Sequence, residues 1–398
     1  MDEKPRESES APHPAPLAGK PWRRPALRLP STLQGLPITW PVVSGLALAL
    51  VFLVGLYWLI SAPIRDRQAR LPSATPGALA LVLQGDELLA KGRLEEAMSA
   101  YSQTLALDPN NARALAHWGW ALTVRGKTVE AIQRLGRATE LAPSSGEYRA
   151  LLALAYDWGS QYDRAGVEAQ AAFRLEPGNA RVLAVLAEVL ADSGRPAEAV
   201  DYGRRAVAAD ANSADAHRAY GYALQAAGDL TQGAAELRRA VELAPNLAYL
   251  RLSLAALYRS AGQYPEALAE YQKAVDLEPF SPQGHEGLGT VYYRQKQYDT
   301  AVPYFARAAD LDPNRFSAQN YLAWSQYLTE HYDLAIPHFQ RALEIDNSRA
   351  DGHAGLGWAL LNLKLTEQAR GEFEKALALD PQLKLAQDGL AAAKQQQP

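Results

Sequence analysis

The segment Pro282–Arg315 reads PQGHEGLGTVYYRQKQYDTAVPYFARAADLDPNR and contains two apolar patterns separated by a polar turn at residues 295–297. Apolar residues recur every three or four positions on both sides of the turn, which predicts two helices. The second pattern ends at Pro313, because proline cannot continue a helix. We therefore predict a helical hairpin, and a hairpin this short needs neighbours on which to bury its apolar faces.

The hairpin repeats every 34 residues along the chain. We number the repeats from residue 78 as units 1 to 9, so that the quoted segment is unit 7. Proline fills seven of nine positions in one column: Pro109, Pro143, Pro177, Ala211, Pro245, Pro279, Pro313, Asn347 and Pro381. A second column contains only Gly or Ala, including Gly289. Glycine inside a helix costs about 1 kcal/mol relative to alanine, so this column predicts helices that cross closely.

This arrangement resembles the tetratricopeptide repeat family. The family pattern is a large and a small apolar residue, then aromatic or Leu, Ala, aromatic or Leu, Ala and a terminal Pro. Unit 7 supplies these residues as Leu288, Gly289, Tyr292, Ala301, Phe305, Ala308 and Pro313. The resemblance covers residues 78–383 and implies an all-α, right-handed α-solenoid of nine helix-turn-helix units. Residues 384–398 begin a tenth first helix, so we expect a capping helix and a tail there.

Four residues depart from the simple pattern. Ala169 and Gly203 stand where a large residue is usual, and we expect looser packing around them. Pro303 and Pro337 lie within predicted second helices, close to their beginnings. Because the first turn of a helix lacks internal partners for its N–H groups, proline is tolerated there and no break is expected.

The N-terminal part differs from the repeats. Residues 1–41 are rich in proline, serine and charge, and we expect a disordered tail. Val42–Ile60 has nineteen residues and no charge, which predicts one transmembrane helix in the lipid bilayer. The alternative is a cleaved signal peptide, but Ile60 and Pro63 are unfavourable around a cut after Ala62. Residues 61–77 are a predicted linker.

Basic residues flank the predicted membrane helix on both sides. Six Lys or Arg residues precede it, and Arg65, Arg67 and Arg70 follow it. Close to the membrane, where the positive-inside rule gives basic residues most weight, the two sides carry nearly equal numbers of them. The longer basic tail favours a cytoplasmic N-terminus, so we predict a single-pass membrane protein with its repeats on the non-cytoplasmic side.

Charge and cysteine content exclude several classes of function. Residues 1–77 contain nine Lys or Arg and five Asp or Glu, which leaves 31 basic and 39 acidic residues for the rest of the chain. An acidic solenoid does not suit nucleic acid, whose binding needs clustered Lys and Arg. The absence of cysteine excludes disulfides and cysteine-ligated metals.

Motifs of catalysis and cofactor binding are absent. The sequence contains no Walker phosphate loop, G-x-S-x-G elbow or H-E-x-x-H zinc pair. The glycines of 284–289 lie on a predicted helix, without the strand that a nucleotide loop requires. His217, His285 and His353 share a column on alternate units, so the stack holds them too far apart for one metal. We therefore expect no catalysis, no cofactor and no metal site.

The remaining hypothesis is surface recognition. In the tetratricopeptide family the first helices line a concave groove, with groove side chains at places 2, 5, 9, 12 and 13 of each unit. Aromatic residues and arginine concentrate binding energy at interfaces. At or near these places the chain has Trp120, Arg181, Arg218, Tyr222, Tyr249, Arg259, Tyr293, Arg294, Trp324, Tyr327 and Trp358. The alternative is that the tryptophans only fill the gaps between adjacent units.

These features predict a membrane-anchored scaffold or adaptor that binds protein or peptide segments and assembles a membrane or envelope complex. Two alternatives remain open. In the first, unit 1 has no preceding cap and drives self-association into a homo-oligomer, which would make the protein a structural organiser. In the second, the protein is a non-catalytic regulatory subunit of an envelope enzyme.

Overall fold

A computed structural model describes residues 76–396. The tail predicted at 1–41, the membrane helix predicted at 42–60 and most of the linker predicted at 61–77 lie outside the described residues. Residues 76–396 form nineteen helices and contain no strand. The helices are α1 (Pro76–Ala90), α2 (Leu94–Leu107), α3 (Ala112–Val124), α4 (Thr128–Leu141), α5 (Gly146–Trp158), α6 (Tyr162–Leu175), α7 (Ala180–Asp192), α8 (Pro196–Ala209), α9 (Ala214–Ala226), α10 (Leu230–Leu243), α11 (Ala248–Ser260), α12 (Tyr264–Leu277), α13 (Pro282–Arg294), α14 (Tyr298–Leu311), α15 (Phe316–Leu328), α16 (Tyr332–Ile345), α17 (Ala350–Asn362), α18 (Thr366–Leu379) and α19 (Lys384–Gln395). Within this part of the chain, no helix is both long enough and apolar enough to cross a bilayer.

The helices follow the 34-residue repeat. From α3 onward, each odd-numbered helix begins at the first residue of its unit, and each even-numbered helix begins at the same place within its unit. The first helix, α1, begins at Pro76, two residues before the expected start, because proline suits the first position of a helix. The two helices of a unit pack together, and both contact the first helix of the next unit. This stacking confirms the predicted all-α solenoid, and α19 packs on α17 and α18 at its C-terminal end.

Each hairpin turn contains one residue in the left-handed region. These residues have φ between 58° and 87° and are Gly92, Gly126, Ser160, Gly194, Gly228, Gly262, Lys296, Glu330 and Lys364. They are spaced by 34 residues, so the turn geometry repeats with the helices. Glycine adopts this conformation without the penalty that a Cβ atom introduces.

The columns of small residues exist because aromatic rings fill the space beside them. Phe305 of α14 is fully buried. A Cβ atom on Gly289 would lie 2.9 Å from the Phe305 ring, and one on Gly357 would lie 2.7 Å from the Phe373 ring. A larger residue in this column would therefore force the two helices of the unit apart.

The expectation of looser packing near Ala169 and Gly203 was wrong. Ala169 is fully buried. A Cβ atom on Gly203 would lie 2.8 Å from the Cα atom of Tyr220, because α9 approaches α8 closely at this point. The helices α14 and α16 continue through Pro303 and Pro337, as predicted.

Units 1 and 2 contact units 5 to 7 across the solenoid. The side-chain Nε2 of Gln283 donates a hydrogen bond to the backbone oxygen of Arg125 at 2.9 Å. The Trp120 and Tyr249 rings meet edge to face with centroids 5.6 Å apart. The φ of Gly92 is +75°, and a Cβ atom there would lie 2.3 Å from the backbone oxygen of Asn246. We call these three interactions the closure contacts. Through these contacts, units 1, 2 and 5 to 7 enclose part of the concave side of the solenoid.

Candidate partner-binding groove

Three recesses lie along the inner side of the closed solenoid. The central recess has a volume of 480 Å³ and is lined by residues that include Trp158, Tyr249, Arg259, Glu286 and Arg315. The acidic recess has a volume of 370 Å³ and is lined by residues that include Asp157, Trp158, Glu188, Asp192, Arg218 and Tyr222. The third recess has a volume of 390 Å³ and is lined by residues that include Asp86, His117, Trp120, Arg181, Asp215 and Tyr249. The central and acidic recesses share Trp158, Ser253 and Ala256, so they are adjacent.

A buried ion pair forms one wall of the acidic recess. Arg218 Nη1 donates to Glu188 Oε2 at 3.0 Å, and Nη2 donates to Glu188 Oε1. The two residues are only 5% and 2% exposed. Burial raises the pKa of Glu188, while the charge of Arg218 opposes that shift. Trp158 Nε1 donates to Glu188 at 3.4 Å, and the Arg218 guanidinium lies 5.3 Å from the centre of the Trp158 ring.

Further polar contacts tie successive first helices together. The Tyr249 hydroxyl donates to Asp215 at 2.6 Å, and Arg181 pairs with Glu147 at 2.8 Å. The Tyr222 hydroxyl donates to Asp192. In each pair the partners are separated by 30 or 34 residues and lie in adjacent units. These contacts fix the orientation of the first helices that line the recesses.

The third recess contains a compact group around Asp86. This carboxylate accepts a hydrogen bond from the Tyr101 hydroxyl at 2.8 Å and pairs with His117 at 2.5 Å and Arg113 at 2.6 Å. The partners hold the pKa of Asp86 below its usual value even though burial opposes the shift. The negative charge of Asp86 is therefore compensated within the chain.

Asp157 is a recess residue that was not among the predicted groove residues, and the same holds for Trp158, Glu188 and Asp192. Asp157 occupies place 12 of unit 3, the same column as Arg259, Tyr293 and Tyr327. Asp157 is 3% exposed, and neither of its carboxylate oxygens has a hydrogen-bond partner. Only aromatic residues and arginine at the groove places were predicted to bind a partner. The carboxylate of Asp157 in the same column was the sequence feature that could have pointed to this residue.

The predicted groove residues divide into two groups. Six of them line the recesses: Trp120, Arg181, Arg218, Tyr222, Tyr249 and Arg259. The other five lie in units 7 to 9, outside these three recesses: Tyr293, Arg294, Trp324, Tyr327 and Trp358. The distinction separates residues enclosed by the closed part of the solenoid from residues on its C-terminal units.

The aromatic residues of units 7 to 9 pack against their own and neighbouring units. The Trp324 ring meets Phe339 edge to face at 5.2 Å. Trp358 Nε1 donates to the backbone oxygen of Leu385 in α19 at 3.0 Å. Arg294 is exposed. A packing role is thus visible for both tryptophans, and a binding role for this group stays a prediction.

The three histidines of the column contact their own or the preceding hairpin. His217 Nδ1 lies 2.6 Å from Glu236, and His353 Nδ1 lies 2.7 Å from Glu372. His285 Nε2 lies 3.1 Å from the backbone oxygen of Pro279. Within residues 76–396, no group of three His, Asp or Glu side chains is placed to hold a metal ion.

The repeat region is similar to one known protein family. Two family models, each described as "Tetratricopeptide repeat", match the repeat region. The first matches residues 151–214, 219–283, 252–316, 286–350 and 322–384, and the second matches residues 88–155. No curated protein matches this chain.

Solved structures of repeat proteins are similar in fold. A chain of the "APC/C hetero-tetramer Cut9-Hcn1" is 17% identical with a TM-score of 0.63, and the match covers 79% of this chain. This chain spans only 63% of the length of that one. YrrB, titled "a TPR protein with an unusual peptide-binding site", is 23% identical with a TM-score of 0.40 over 48% of this chain and 97% of its own. At this identity, the first comparison shows a shared fold.

Proposed function

The chain belongs to the tetratricopeptide repeat family, and from this premise we propose that it is a scaffold that binds a segment of another protein in its inner groove. The fold is one that supports protein–protein interaction. The observation that carries the proposal is the central recess, which is lined by residues from units 2, 3, 6 and 7. Its volume of 480 Å³ is sufficient for several side chains of a bound segment.

Arg259 is the residue of this recess that is available to a partner. It is half-buried, and its guanidinium forms no hydrogen bond or ion pair with any residue in the described part of the chain. By contrast, Arg315 in the same recess pairs with Glu286. A half-buried, unpaired guanidinium beside aromatic walls provides directional donors with little hydration to lose.

Arg259→Ala should weaken partner binding by about tenfold or more, because a buried arginine contact at an interface is worth about 2 kcal/mol. The partner segment is first identified by placing a photo-crosslinking amino acid at Ala256 in the full chain, followed by mass spectrometry. Its affinity is then measured for the wild type, Arg259→Ala and the control Arg307→Ala, which removes an exposed arginine of α14. Equal affinities of the two variants, or equal crosslinking from position 307, would contradict the proposal.

We further propose that residues 42–60 anchor this scaffold in a membrane, with the repeats on the non-cytoplasmic side, where it assembles a membrane or envelope complex. The support is the uncharged run of nineteen residues and the basic tail before it. Both lie outside the described residues.

Self-association through unit 1 is a second candidate. Leu79 and Leu83 of α1 are 51% and 48% exposed, and they lie on the helix that begins the described stack. Exposed apolar side chains at this end of the described stack favour burial against another copy. Light scattering of the full chain in detergent tests this candidate, since a strict monomer at high concentration would argue against it.

A further inference from the structure

The acidic recess contains three carboxylates and one guanidinium, and only Asp157 lacks a partner. Glu188 is paired with Arg218, and Asp192 accepts a hydrogen bond from the Tyr222 hydroxyl. Both carboxylate oxygens of Asp157 have none. The nearby guanidinium of Arg218 is already paired with Glu188. A buried carboxylate without a charge partner of its own is unfavourable, so Asp157 needs either a proton or a further cation.

The pKa of Asp157 also reflects the missing charge partner. Burial, then the close approach of the Asp192 carboxylate and then the charge of Glu188 raise the pKa of Asp157 to about 9, with the charge of Arg218 acting in the opposite direction. In the empty recess, a proton therefore takes the place of a counter-ion near neutral pH. A bound cation can displace it, because a positive charge beside the carboxylate favours the ionised form.

We infer that the acidic recess binds the lysine or arginine side chain of the segment that occupies the groove, an inference that rests on the proposed function. The cation would lie against the oxygens of Asp157 and Asp192, beside the rings of Trp158 and Tyr222. Charge-assisted hydrogen bonds and cation–π contact are the interactions that hold an ammonium or guanidinium group in such a site. Asp192 is exposed and Asp157 is buried, so the recess has an open mouth and an acidic floor.

The adjoining central recess explains why a protein segment fits better than a free cation. The two recesses share Trp158, Ser253 and Ala256, so a bound chain can pass from one into the other. Arg259 in the central recess is unpaired and positive, while Asp157 in the acidic recess is unpaired and acidic. Opposite charges at two points along one groove favour a segment with the complementary order of charges and fix its direction.

The direct test titrates the full chain with small probes that do not depend on a partner. The probes are N-acetyl-lysine methylamide, N-acetyl-arginine methylamide and the neutral N-acetyl-norleucine methylamide. Wild type should prefer the cationic probes by about tenfold, the value of one charge-assisted contact of about 1.4 kcal/mol. Asp157→Asn should abolish the preference, and Asp192→Asn should reduce it. The exposed control Asp163→Asn should keep it.

Equal binding of the cationic and neutral probes would overturn the inference, and so would an unchanged preference in Asp157→Asn. Tighter binding of spermidine than of either amino-acid probe would also overturn it, because that result would assign the recess to free polyamines. Arg259→Ala should leave the probe preference unchanged. A failure of the proposed groove function therefore remains distinguishable from a failure of this site.

The pH dependence of stability provides a second readout, which tests whether Asp157 is buried without a charge partner of its own. Between its ordinary pKa of 3.8 and the folded-state pKa of about 9, the folded protein binds more protons at Asp157 than the unfolded protein does. Stability from this group therefore falls as pH rises through that window. Asp157→Asn should unfold at a higher temperature than wild type at pH 8, with the difference shrinking toward pH 4. A lower unfolding temperature for Asp157→Asn at pH 8 would contradict the inference.

Discussion

Arg218→Ala should lower the free energy of unfolding by about 3–5 kcal/mol, because it leaves the carboxylate of Glu188 buried without its charge partner. Glu188 is 2% exposed, and burial already disfavours its ionised form. The alanine variant also removes the guanidinium that lies near the Trp158 and Tyr249 rings. Urea unfolding followed by tryptophan fluorescence measures the loss.

The matched control is Arg195→Ala. Arg195 also pairs with a glutamate, Glu198, but their side chains are 51% and 53% exposed. Exposed pairs contribute about 0.2–1 kcal/mol, so this variant should remain close to wild type. The double variant Arg218→Met with Glu188→Gln should recover much of the lost stability, since it removes both buried charges. Losses within about 1 kcal/mol of each other for Arg218→Ala and Arg195→Ala would show that the buried pair is not important for stability.

Gly92→Ala should open the closure between unit 1 and unit 5. The substitution places a Cβ atom 2.3 Å from the backbone oxygen of Asn246, and backbone atoms cannot move aside as a flexible side chain can. The left-handed conformation of residue 92 adds a cost of about 1–2 kcal/mol, and overpacking adds about 1–3 kcal/mol. The expected result is a less stable protein with a larger radius of gyration in small-angle X-ray scattering.

Gly262→Ala separates these two costs. Gly262 occupies the same turn position with φ +74°, but a Cβ atom there would meet nothing within 4 Å. Gly262→Ala should therefore carry only the conformational cost and keep the wild-type radius of gyration. Equal loss of stability and equal dimensions for both variants would mean that the contact with Asn246 does not hold the solenoid closed.

Local sequence patterns predicted the hairpins, their number and their register well. Each hairpin depends on interactions within about 34 residues, such as the Phe305 ring beside Gly289. These interactions recur along the units, so the repeated columns of small and aromatic residues predict them. The prediction failed near Gly203 because a residue of the next unit, Tyr220, fills the space that a large side chain usually occupies.

The closure contacts could not be read from the sequence. Trp120 and Tyr249 lie in units 2 and 6, and they meet only because small rotations between successive units accumulate along the stack. The repeated columns of the sequence do not show how large this accumulated rotation is. The same limit applies to Asp157. Its place in the groove column was visible, but its burial depends on the packing of α5, α7 and α9 around the closed interior.

The most direct test of the closed solenoid is a distance in solution between the turn of unit 2 and the loop that joins units 6 and 7. The chain has no cysteine, so spin labels can be attached specifically to Lys127→Cys and Phe280→Cys, both of which are exposed. These positions are close in sequence to Arg125 and Gln283, whose hydrogen bond joins units 2 and 7 at 2.9 Å. Pulsed electron paramagnetic resonance should give one short, narrow distance distribution that broadens in Gly92→Ala. A long or broad distribution in the wild type would contradict closure and, with it, the enclosed recesses.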